Sequence, residues 1–337
     1  MTPKRRIIPV FVPHVGCPNN CVFCDQKKIS GALSPASPED VSRAIENAAA
    51  VIPEGETAEL AFYGGSFTAI PPAEQEALLA AARRYDLVGP IRVSTRPDRI
   101  NGETLALLKA YGVETVELGA QSMDDEVLRL SGRGHKALDT QRAAELVKAS
   151  GFGLILQMMT GLPGDTPEKT LATARKIASL GPDGVRIYPT VIIRDTPLEE
   201  MWRAGAYKEH TVAEAVEWCV PVVQTFWEAG ITIIRLGLNP TDDLSGGTAV
   251  AGAYHPALGT LVYSRLYYER ARELLAGAGK LERATLGVEQ RAVSYMAGLR
   301  RENVLTLERE FEPVKIKIIP AKVGMGNVKP IDFLPKQ

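Results

Sequence analysis

The sequence predicts an α/β fold built on parallel strands. Strand-like apolar runs alternate with helical patterns over the first 240 residues, which is typical of strands joined by right-handed crossover helices. No GxGxxG motif follows the first strand, so the usual dinucleotide-binding fingerprint is missing and a cysteine-rich loop stands there instead. Two architectures fit: an open doubly wound sheet, and a full or partial β/α barrel whose chemistry lies on the loops after the strands.

Seven apolar, β-rich runs are the predicted strands. In chain order they cover residues 6–12, 58–64, 91–95, 115–120, 153–159, 184–192 and 231–238. Several of the helical stretches between them begin at Asp, Ser-Pro or Thr-Pro and end at Gly, as helix termini commonly do. A sixth helical stretch, residues 211–230, contains Pro221, which we expect to kink the helix.

The pattern changes after about residue 240. Residues 239–259 read as a turn-rich connector without a regular period. A helix over 261–277, a second helical stretch near 287–300 and a strand over 313–319 are predicted after it. The predicted organisation is a core barrel domain over residues 1–240, then a connector and a small C-terminal α/β extension over residues 241–337.

The composition is that of a soluble globular protein, with 337 residues of which 45% are hydrophobic and 23% charged. We expect no membrane span, because no apolar run reaches the roughly 18 residues that one needs, and no signal peptide. Four cysteines without a pairing pattern favour the reducing cytoplasm. The formal net charge of -1 gives no general reason to expect nucleic acid, although residues 1–30 and 280–337 each carry a small basic surplus.

Three of the four cysteines, Cys17, Cys21 and Cys24, stand within eight positions directly after the first strand. Three crowded cysteines suit a disulfide framework poorly, whereas thiolate clusters are the usual ligands of zinc and iron–sulfur centres. With His14 they could close a structural zinc site, although such sites generally take ligands from two separate knuckles. Without His14 they could hold an iron–sulfur cluster with one open coordination position, which suits catalysis.

The spacing Cys-x3-Cys-x2-Cys, with Phe23 before the last cysteine, resembles the signature of the radical S-adenosylmethionine (SAM) superfamily. The resemblance implies a partial (β/α)6 TIM-like barrel of the radical SAM fold, followed here by the small C-terminal α/β extension. It also implies a 4Fe-4S cluster held by the three cysteines, with SAM bound at the remaining iron. In that superfamily, reduction of the cluster cleaves SAM to methionine and a 5′-deoxyadenosyl radical.

Later motifs match the superfamily in order and imply a set of cofactor-binding residues. The glycine motif at the end of the second strand hydrogen-bonds the methionyl amine in that superfamily, and a Gln and an Arg in segment 113–135 reach the methionyl carboxylate and ribose. Ser94 stands where related families carry an acidic residue, for which Arg96 and Glu117 are expected to compensate. The complete set is Phe23, Gly64, Gly65, Ser66, Ser94, Arg96, Glu117, Gln121, Arg133 and Gln157.

Two radical SAM families are similar beyond these motifs. Segments 113–135 and 156–166 resemble the oxygen-independent coproporphyrinogen III dehydrogenases and the radical domain of the catalytic subunit of Elongator, and segment 186–216 is closer to the latter. The Elongator subunit has a long basic N-terminal extension and a following acetyltransferase domain. Neither is expected here, so the resemblance does not extend to acetyl-CoA-dependent chemistry.

The resemblance favours a radical SAM enzyme that modifies tRNA or another RNA and takes electrons from a flavodoxin or ferredoxin. A radical SAM enzyme of small-molecule metabolism, similar to the coproporphyrinogen family, is the first alternative. A non-enzymatic zinc or iron–sulfur module that binds RNA is the second. Outside the motifs, we expect Cys219 to be a small buried hydrophobe, His255 to pack in its loop, and Tyr188 to line the site if its side chain points inward.

Overall fold

The computed structural model describes residues 6–12, 21–25, 36–240 and 244–336. The strands of the described residues are β1 (Ile7–Val12), β2 (Ala58–Gly64), β3 (Val88–Thr95), β4 (Val113–Gln121), β5 (Gly153–Thr160), β6 (Gly184–Pro189), β7 (Val191–Ile193), β8 (Thr232–Leu236), β9 (Ala249–Gly252), β10 (Leu281–Val288), β11 (Lys315–Pro320) and β12 (Lys329–Pro335).

Seven of these strands form one parallel sheet, in the order β1-β2-β3-β4-β5-β6-β8, that curls into a partial barrel. The strand order follows the chain without the reversal that defines a doubly wound sheet. The predicted α/β class and partial barrel are therefore confirmed, and the open-sheet alternative is excluded.

Crossover helices cover the outer face of this sheet. The α-helices that the structure describes are α1 (Pro38–Ala49), α2 (Pro72–Ala82), α3 (Gly102–Ala110), α4 (Asp125–Leu130), α5 (Ala137–Ala149), α6 (Pro167–Ser179), α7 (Pro197–Arg203), α8 (Val212–Glu228), α9 (Leu258–Gly277), α10 (Val293–Ala297) and α11 (Glu302–Glu310). Their first turns show why they begin where they do. Ser37 and Asp40 form a capping box at α1, and Thr211 and Glu214 form another at α8.

Side-chain alternation in β1 shows how the sheet divides its two faces. Ile8, Val10 and Val12 are buried in the core that the helices share, whereas Ile7 and Phe11 are exposed on the opposite face. Phe11 lies 6.5 Å from the ring of Tyr63 on β2, measured between centroids. Because the hydroxyl of Tyr63 contacts Arg186 on the distant β6, this opposite face is the inner wall of the barrel. That inner wall, together with the carboxyl ends of the strands, is the part of the fold that positions a site.

The predicted strand 184–192 is wrong in one respect, because the chain breaks it into β6 and β7. Between them, Thr190 donates both its N–H and its hydroxyl to the carbonyl of Thr160, at 2.9 and 2.7 Å. The first of these is the last ladder bond between β5 and β6, whereas the carbonyl of Thr190 accepts the N–H of Ala253 at 3.0 Å. From there β7 pairs antiparallel with β9 in a separate two-stranded sheet.

The C-terminal part contains a second small sheet in the order β11-β10-β12. Helix α9 and the inner face of β10 belong to the same hydrophobic core as the barrel helix α8. The predicted strand 313–319 is found as β11, and the helical stretch near 287–300 contains the short α10. The strands β10 and β12 are additions to the sequence-based scheme, and the boundary at residue 240 stays a prediction. In the described ranges, no helix has the length and apolarity that crossing a membrane requires.

Gly161, directly after β5, lies under a buried histidine. It adopts a φ of +74°, and a Cβ there would lie 2.2 Å from Cγ of His210. The ring of His210 is fixed by a 3.1 Å contact between its Nε2 and the hydroxyl of Thr160, and Tyr207 donates its hydroxyl to the carbonyl of Gly161 at 2.6 Å. A side chain at position 161 would therefore displace the segment that joins α7 to α8.

Replacing Gly161 by Ala is expected to destabilise the fold more than the matched change Gly205→Ala. Gly205 has nearly the same φ, +72°, but nothing lies within 4 Å of the position that a Cβ would take there. Both variants carry about 1 kcal/mol of backbone strain, and Gly161→Ala adds about 1–3 kcal/mol of overpacking. Urea unfolding of both variants measures the difference, and equal losses of unfolding free energy would contradict this packing.

Candidate functional site

The cysteine loop follows β1, whose carboxyl end lies at the mouth of the barrel. Cys21 is buried and Cys24 is half-buried, and the N–H of Cys24 donates to the carbonyl of Cys21 at 3.1 Å. The backbone of Val22 between them is hydrogen-bonded to the end of α4 and to the first turn of α7. Cys17 and His14 lie outside the described residues.

Arg133 connects this loop to the barrel. Its Nη1 donates to Sγ of Cys21 at 3.5 Å, and its Nη2 donates to the carbonyl of Gly119 on β4 at 2.7 Å. A Cβ on Gly119 would lie 2.8 Å from Nη2 of Arg133 and 2.9 Å from Nε2 of Gln121, so only glycine leaves room for both side chains.

Three of the predicted residues carry buried polar atoms that lack a hydrogen-bond partner among the described residues: Oε1 of Gln121, Nε of Arg133 and Nη1 of Arg96. Gln121 also has a φ of +64°, next to a register shift between β4 and β5. An unpartnered buried polar atom costs about 1–3 kcal/mol, and strained residues cluster at ligand sites. These atoms fit a ligand that offers both hydrogen-bond donors and acceptors.

The predicted glycine segment lies at the end of β2, beside β1. Gly64 has a φ of +99°, and a Cβ there would lie 3.1 Å from the carbonyl oxygen of Val12. The next N–H, that of Gly65, donates to the same carbonyl at 2.6 Å. The hydroxyl of Ser66 is buried, 2.8 Å from the hydroxyl of Thr95. The segment is therefore held tightly between the first and third strands.

Arg96 links the glycine segment to Arg133. Its N–H donates to Oγ of Ser66 at 3.2 Å, and its guanidinium binds the carbonyl of Arg133 at 2.6 Å and the carboxylate of Asp98 at 2.9 Å. Next to it, burial and then the charges of the two arginines lower the pKa of His135 to about 4. The imidazole is therefore neutral near pH 7, and it adds no third positive charge to this cluster.

Glu117 is buried on the inner wall, 1% exposed, and is engaged by other side chains. Oε1 forms an ion pair with Nε of Arg186 at 2.9 Å and accepts a hydrogen bond from Gln157. Oε2 lies 3.6 Å from Nη1 of Arg92, and Nε2 of Gln157 also lies 3.5 Å from Oγ of Ser94. The structure thus brings the predicted Ser94, Glu117 and Gln157 together just below the mouth.

Four residues outside the predicted set, Glu59, Tyr63, Arg92 and Arg186, complete the cluster around Glu117. Arg92 pairs with Glu59 at 2.7 Å, and Nη2 of Arg186 donates to the hydroxyl of Tyr63 at 3.1 Å. Tyr188 lies two positions after Arg186 on β6, so strand alternation places its side chain on the same inner face, and burial raises its pKa. The sequence does contain a sign of this cluster. Arg92 and Arg186 are charged residues between apolar ones in the buried strands "IRVST" and "VRIYP".

Three further residues have clear surroundings. Phe23 packs against apolar residues of β7 and α7, and its contact with a cofactor stays a prediction. Cys219 is completely buried, as expected, and burial raises the pKa of its thiol to about 12. Nδ1 of His255 accepts the N–H of Ala257 at 3.1 Å, which is a loop-packing role before α9.

Two family profiles match the sequence in succession: the Radical SAM superfamily over residues 11–177 and the Radical SAM C-terminal domain over residues 182–268. The chain belongs to the radical SAM superfamily. An uncharacterized protein of Methanocaldococcus jannaschii is 30% identical to it over 223 residues, covering 61% of this chain and 67% of that protein.

Curated relatives carry names from tRNA modification. The tRNA uridine(34) acetyltransferase of Methanocaldococcus infernus is 32% identical over 174 residues, which are 51% of this chain and 32% of the relative. Human Elongator complex protein 3 is 34% identical over 130 residues, 38% of this chain and 24% of that protein. The aligned part of the chain thus spans a third or less of these relatives.

Solved structures share the fold. The Elp3 of Methanocaldococcus infernus, with an N-terminal deletion, superposes with a TM-score of 0.60 at 24% identity, covering 79% of this chain and 63% of the other. Coproporphyrinogen III oxidase (HemN) from Escherichia coli gives a TM-score of 0.52 at 20% identity, covering 68% and 54%. Both confirm the radical SAM barrel.

The superfamily determines the cofactors. This protein is a radical SAM enzyme that uses a 4Fe-4S cluster and SAM. The described residues fit these groups, because Sγ of Cys21 lies 3.5 Å from Nη1 of Arg133, and buried polar atoms of Arg133, Gln121 and Arg96 lack hydrogen-bond partners among the described residues. The zinc alternative is set aside.

The loop cysteines are expected to be required for iron binding, and the buried cysteine is not. After anaerobic reconstitution, the wild-type protein should contain about four irons per chain, and Cys21→Ala or Cys24→Ala should lose most of them. Cys219→Ala is the matched control and should keep its iron, because its thiol is buried in α8. Iron analysis and absorbance near 400 nm measure the outcome. Iron retained in both loop variants would contradict the ligand assignment.

Proposed function

We propose that this radical SAM enzyme modifies RNA, and that its substrate is a tRNA. The observation that carries the proposal is the 32% identity, over half of this chain, to a relative named as a tRNA uridine(34) acetyltransferase. The aligned part is only a third of that relative. The proposal therefore concerns the substrate class and does not include acetyl transfer.

At the mouth of the barrel, we propose that Cys17, Cys21 and Cys24 ligate the cluster. When bound, the cluster and SAM supply hydrogen-atom abstraction from an unactivated carbon. Arg133 and Gln121 offer the methionyl carboxylate and the ribose a guanidinium N–H and an amide oxygen that have no partner within the described chain. The segment 64–66 offers backbone atoms at close range. Electrons come from a flavodoxin or a ferredoxin.

The small C-terminal sheet offers a surface suited to a polyanion. Ala284, Leu286 and Val288 turn one face of β10 to the core, so Thr285 and Gly287 lie on the opposite, outer face, where neighbouring side chains cover them. Lys317 lies beside Thr285, and Lys329 beside Gly287. The sheet therefore presents both lysines on its outer face, on the order of 10 Å apart across two strand spacings.

The charge of this outer face is positive. Its other charged side chains largely compensate one another, because Arg283 pairs with Asp332 at 3.0 Å and Lys315 lies 3.9 Å from Glu308. Lys317 and Lys329 are exposed and form no ion pair with the described residues. Exposed, uncompensated lysines favour contact with a phosphate backbone, which they bind without reading sequence.

Total tRNA is expected to stimulate the release of 5′-deoxyadenosine from SAM by the reduced enzyme. Without substrate, the reaction should be slow and uncoupled. The assay compares dithionite-reduced enzyme alone, with total tRNA, and with a protein-free extract of small metabolites. Stimulation by the small-molecule extract and not by tRNA would overturn the RNA proposal in favour of small-molecule metabolism.

Charge reversal on the outer sheet face should weaken tRNA binding. For Lys317→Glu with Lys329→Glu we expect about a tenfold weaker Kd or more, and a slope of log K against log salt that is smaller by roughly 2. The control pair Arg142→Glu with Arg175→Glu makes the same change in net charge on exposed positions of α5 and α6. Fluorescence anisotropy at several salt concentrations measures both. Equal weakening in the two pairs would remove this face from the proposal.

A further inference from the structure

One side chain bridges the interior of the barrel. Arg186 is on β6 and Tyr63 is on β2, and in the sheet three strands, β3, β4 and β5, separate them. Nevertheless, Nη2 of Arg186 donates to the hydroxyl of Tyr63 at 3.1 Å, and the guanidinium lies 5.5 Å from the centroid of the Tyr63 ring. The contact crosses the barrel interior and joins two strands that the backbone ladder connects only indirectly.

Both ends of this bridge adjoin proposed SAM contacts. Tyr63 directly precedes the glycine segment 64–66. On the other side, Arg186 holds Oε1 of Glu117 at 2.9 Å, and the same oxygen accepts the amide of Gln157. The bridge therefore connects the segment proposed for the methionyl end of SAM with Gln157, another residue of the predicted SAM-binding set.

The surrounding charges make this arrangement stiff. Arg186 is 12% exposed and Glu117 1%, so each needs its partner to remain charged away from water. Arg92, which pairs with Glu59, lies 3.6 Å from the other oxygen of Glu117. Two guanidinium groups and two carboxylates thus compensate one another, and Glu117 has little freedom to turn toward a ligand.

We propose that Arg186 is a positioning residue for SAM, which sets the separation between the segment 64–66 and Gln157 through Tyr63 and Glu117. In this proposal Glu117 affects SAM binding indirectly, through its contacts with Arg186 and Gln157. The proposal rests on the proposed SAM contacts and does not depend on RNA being the substrate. A purely structural role would instead lower stability and leave SAM affinity of the folded protein unchanged.

The test removes one atom of the bridge. Tyr63→Phe keeps the ring and deletes the hydroxyl that accepts from Arg186. Tyr85→Phe is the matched control, because its hydroxyl binds Glu46 at 2.8 Å on the outer surface. In the reconstituted enzyme, Tyr63→Phe should raise the Kd and KM for SAM roughly five- to tenfold, the size of effect that a residue acting through its neighbours has on a binding site. Its kcat, its iron content and its Tm, within about 2 °C, should match the control.

A double-mutant cycle sharpens the test. Arg186→Lys keeps the charge opposite Glu117, but one ammonium cannot reproduce the fork that reaches both Glu117 and Tyr63. If the two residues act through one bridge, their effects should not be additive. The double variant should then raise the Kd for SAM, relative to the wild type, by less than the product of the two single increases. Hydrogen exchange at residues 64–66 should be faster in Tyr63→Phe than in Tyr85→Phe.

Two results would overturn the proposal. One is an unchanged Kd for SAM in Tyr63→Phe, with or without a lower Tm. The other is full additivity in the cycle. Because Kd, Tm and hydrogen exchange are measured without RNA, neither result bears on the tRNA assay. Conversely, a failure of tRNA to stimulate the enzyme would leave the bridge untouched.

Discussion

The site depends on the hydrogen bonds that the guanidinium of Arg133 makes. It bonds at once to the thiol of Cys21 and to the carbonyl of Gly119, so it attaches the cysteine loop to the fourth strand of the barrel. Its own carbonyl is held by the buried Arg96, which also bonds Ser66. The two arginines together therefore connect the loop, the fourth strand and the glycine segment. The missing Cβ at position 119 is the steric condition for this arrangement.

Polar groups are distributed differently at the mouth and just below it. Below the mouth, Glu117 and its two arginine neighbours are paired, which is how buried charges are tolerated. At the mouth, Gln121 and Arg133 keep buried atoms without partners in the described chain. Oε2 of Glu117 and Nε of Arg186 also lack a hydrogen-bond partner among the described residues, but both groups lie in ion pairs. The unpartnered atoms of Gln121 and Arg133 would gain hydrogen bonds from a ligand bound at the mouth.

Much of the barrel could be predicted because its signals are local. Buried parallel strands appear as apolar runs, and the glycine segment 64–66 and the cysteine loop each lie within a few residues. The strand β10 was not predicted, because its sequence "LERATLGV" mixes Glu, Arg and Thr with short apolar stretches. It becomes a strand through pairing with β11 and β12, which follow it by dozens of residues. The single strand expected over 184–192 failed because the chain changes its pairing partner at Thr190, from β5 to the distant β9.

The sequence by itself determined the chemistry of this protein, because the spacing of Cys17, Cys21 and Cys24 is a property of one short loop. It also determined the order of the seven strands of the barrel sheet, since each carries its own apolar pattern. Only the tertiary structure decided which distant side chains meet. Arg186 and Tyr63 are 123 positions apart and come into contact because the sheet curls until its second and sixth strands face each other across the interior. No local pattern encodes that curvature, which arises from the twist and packing of the whole sheet.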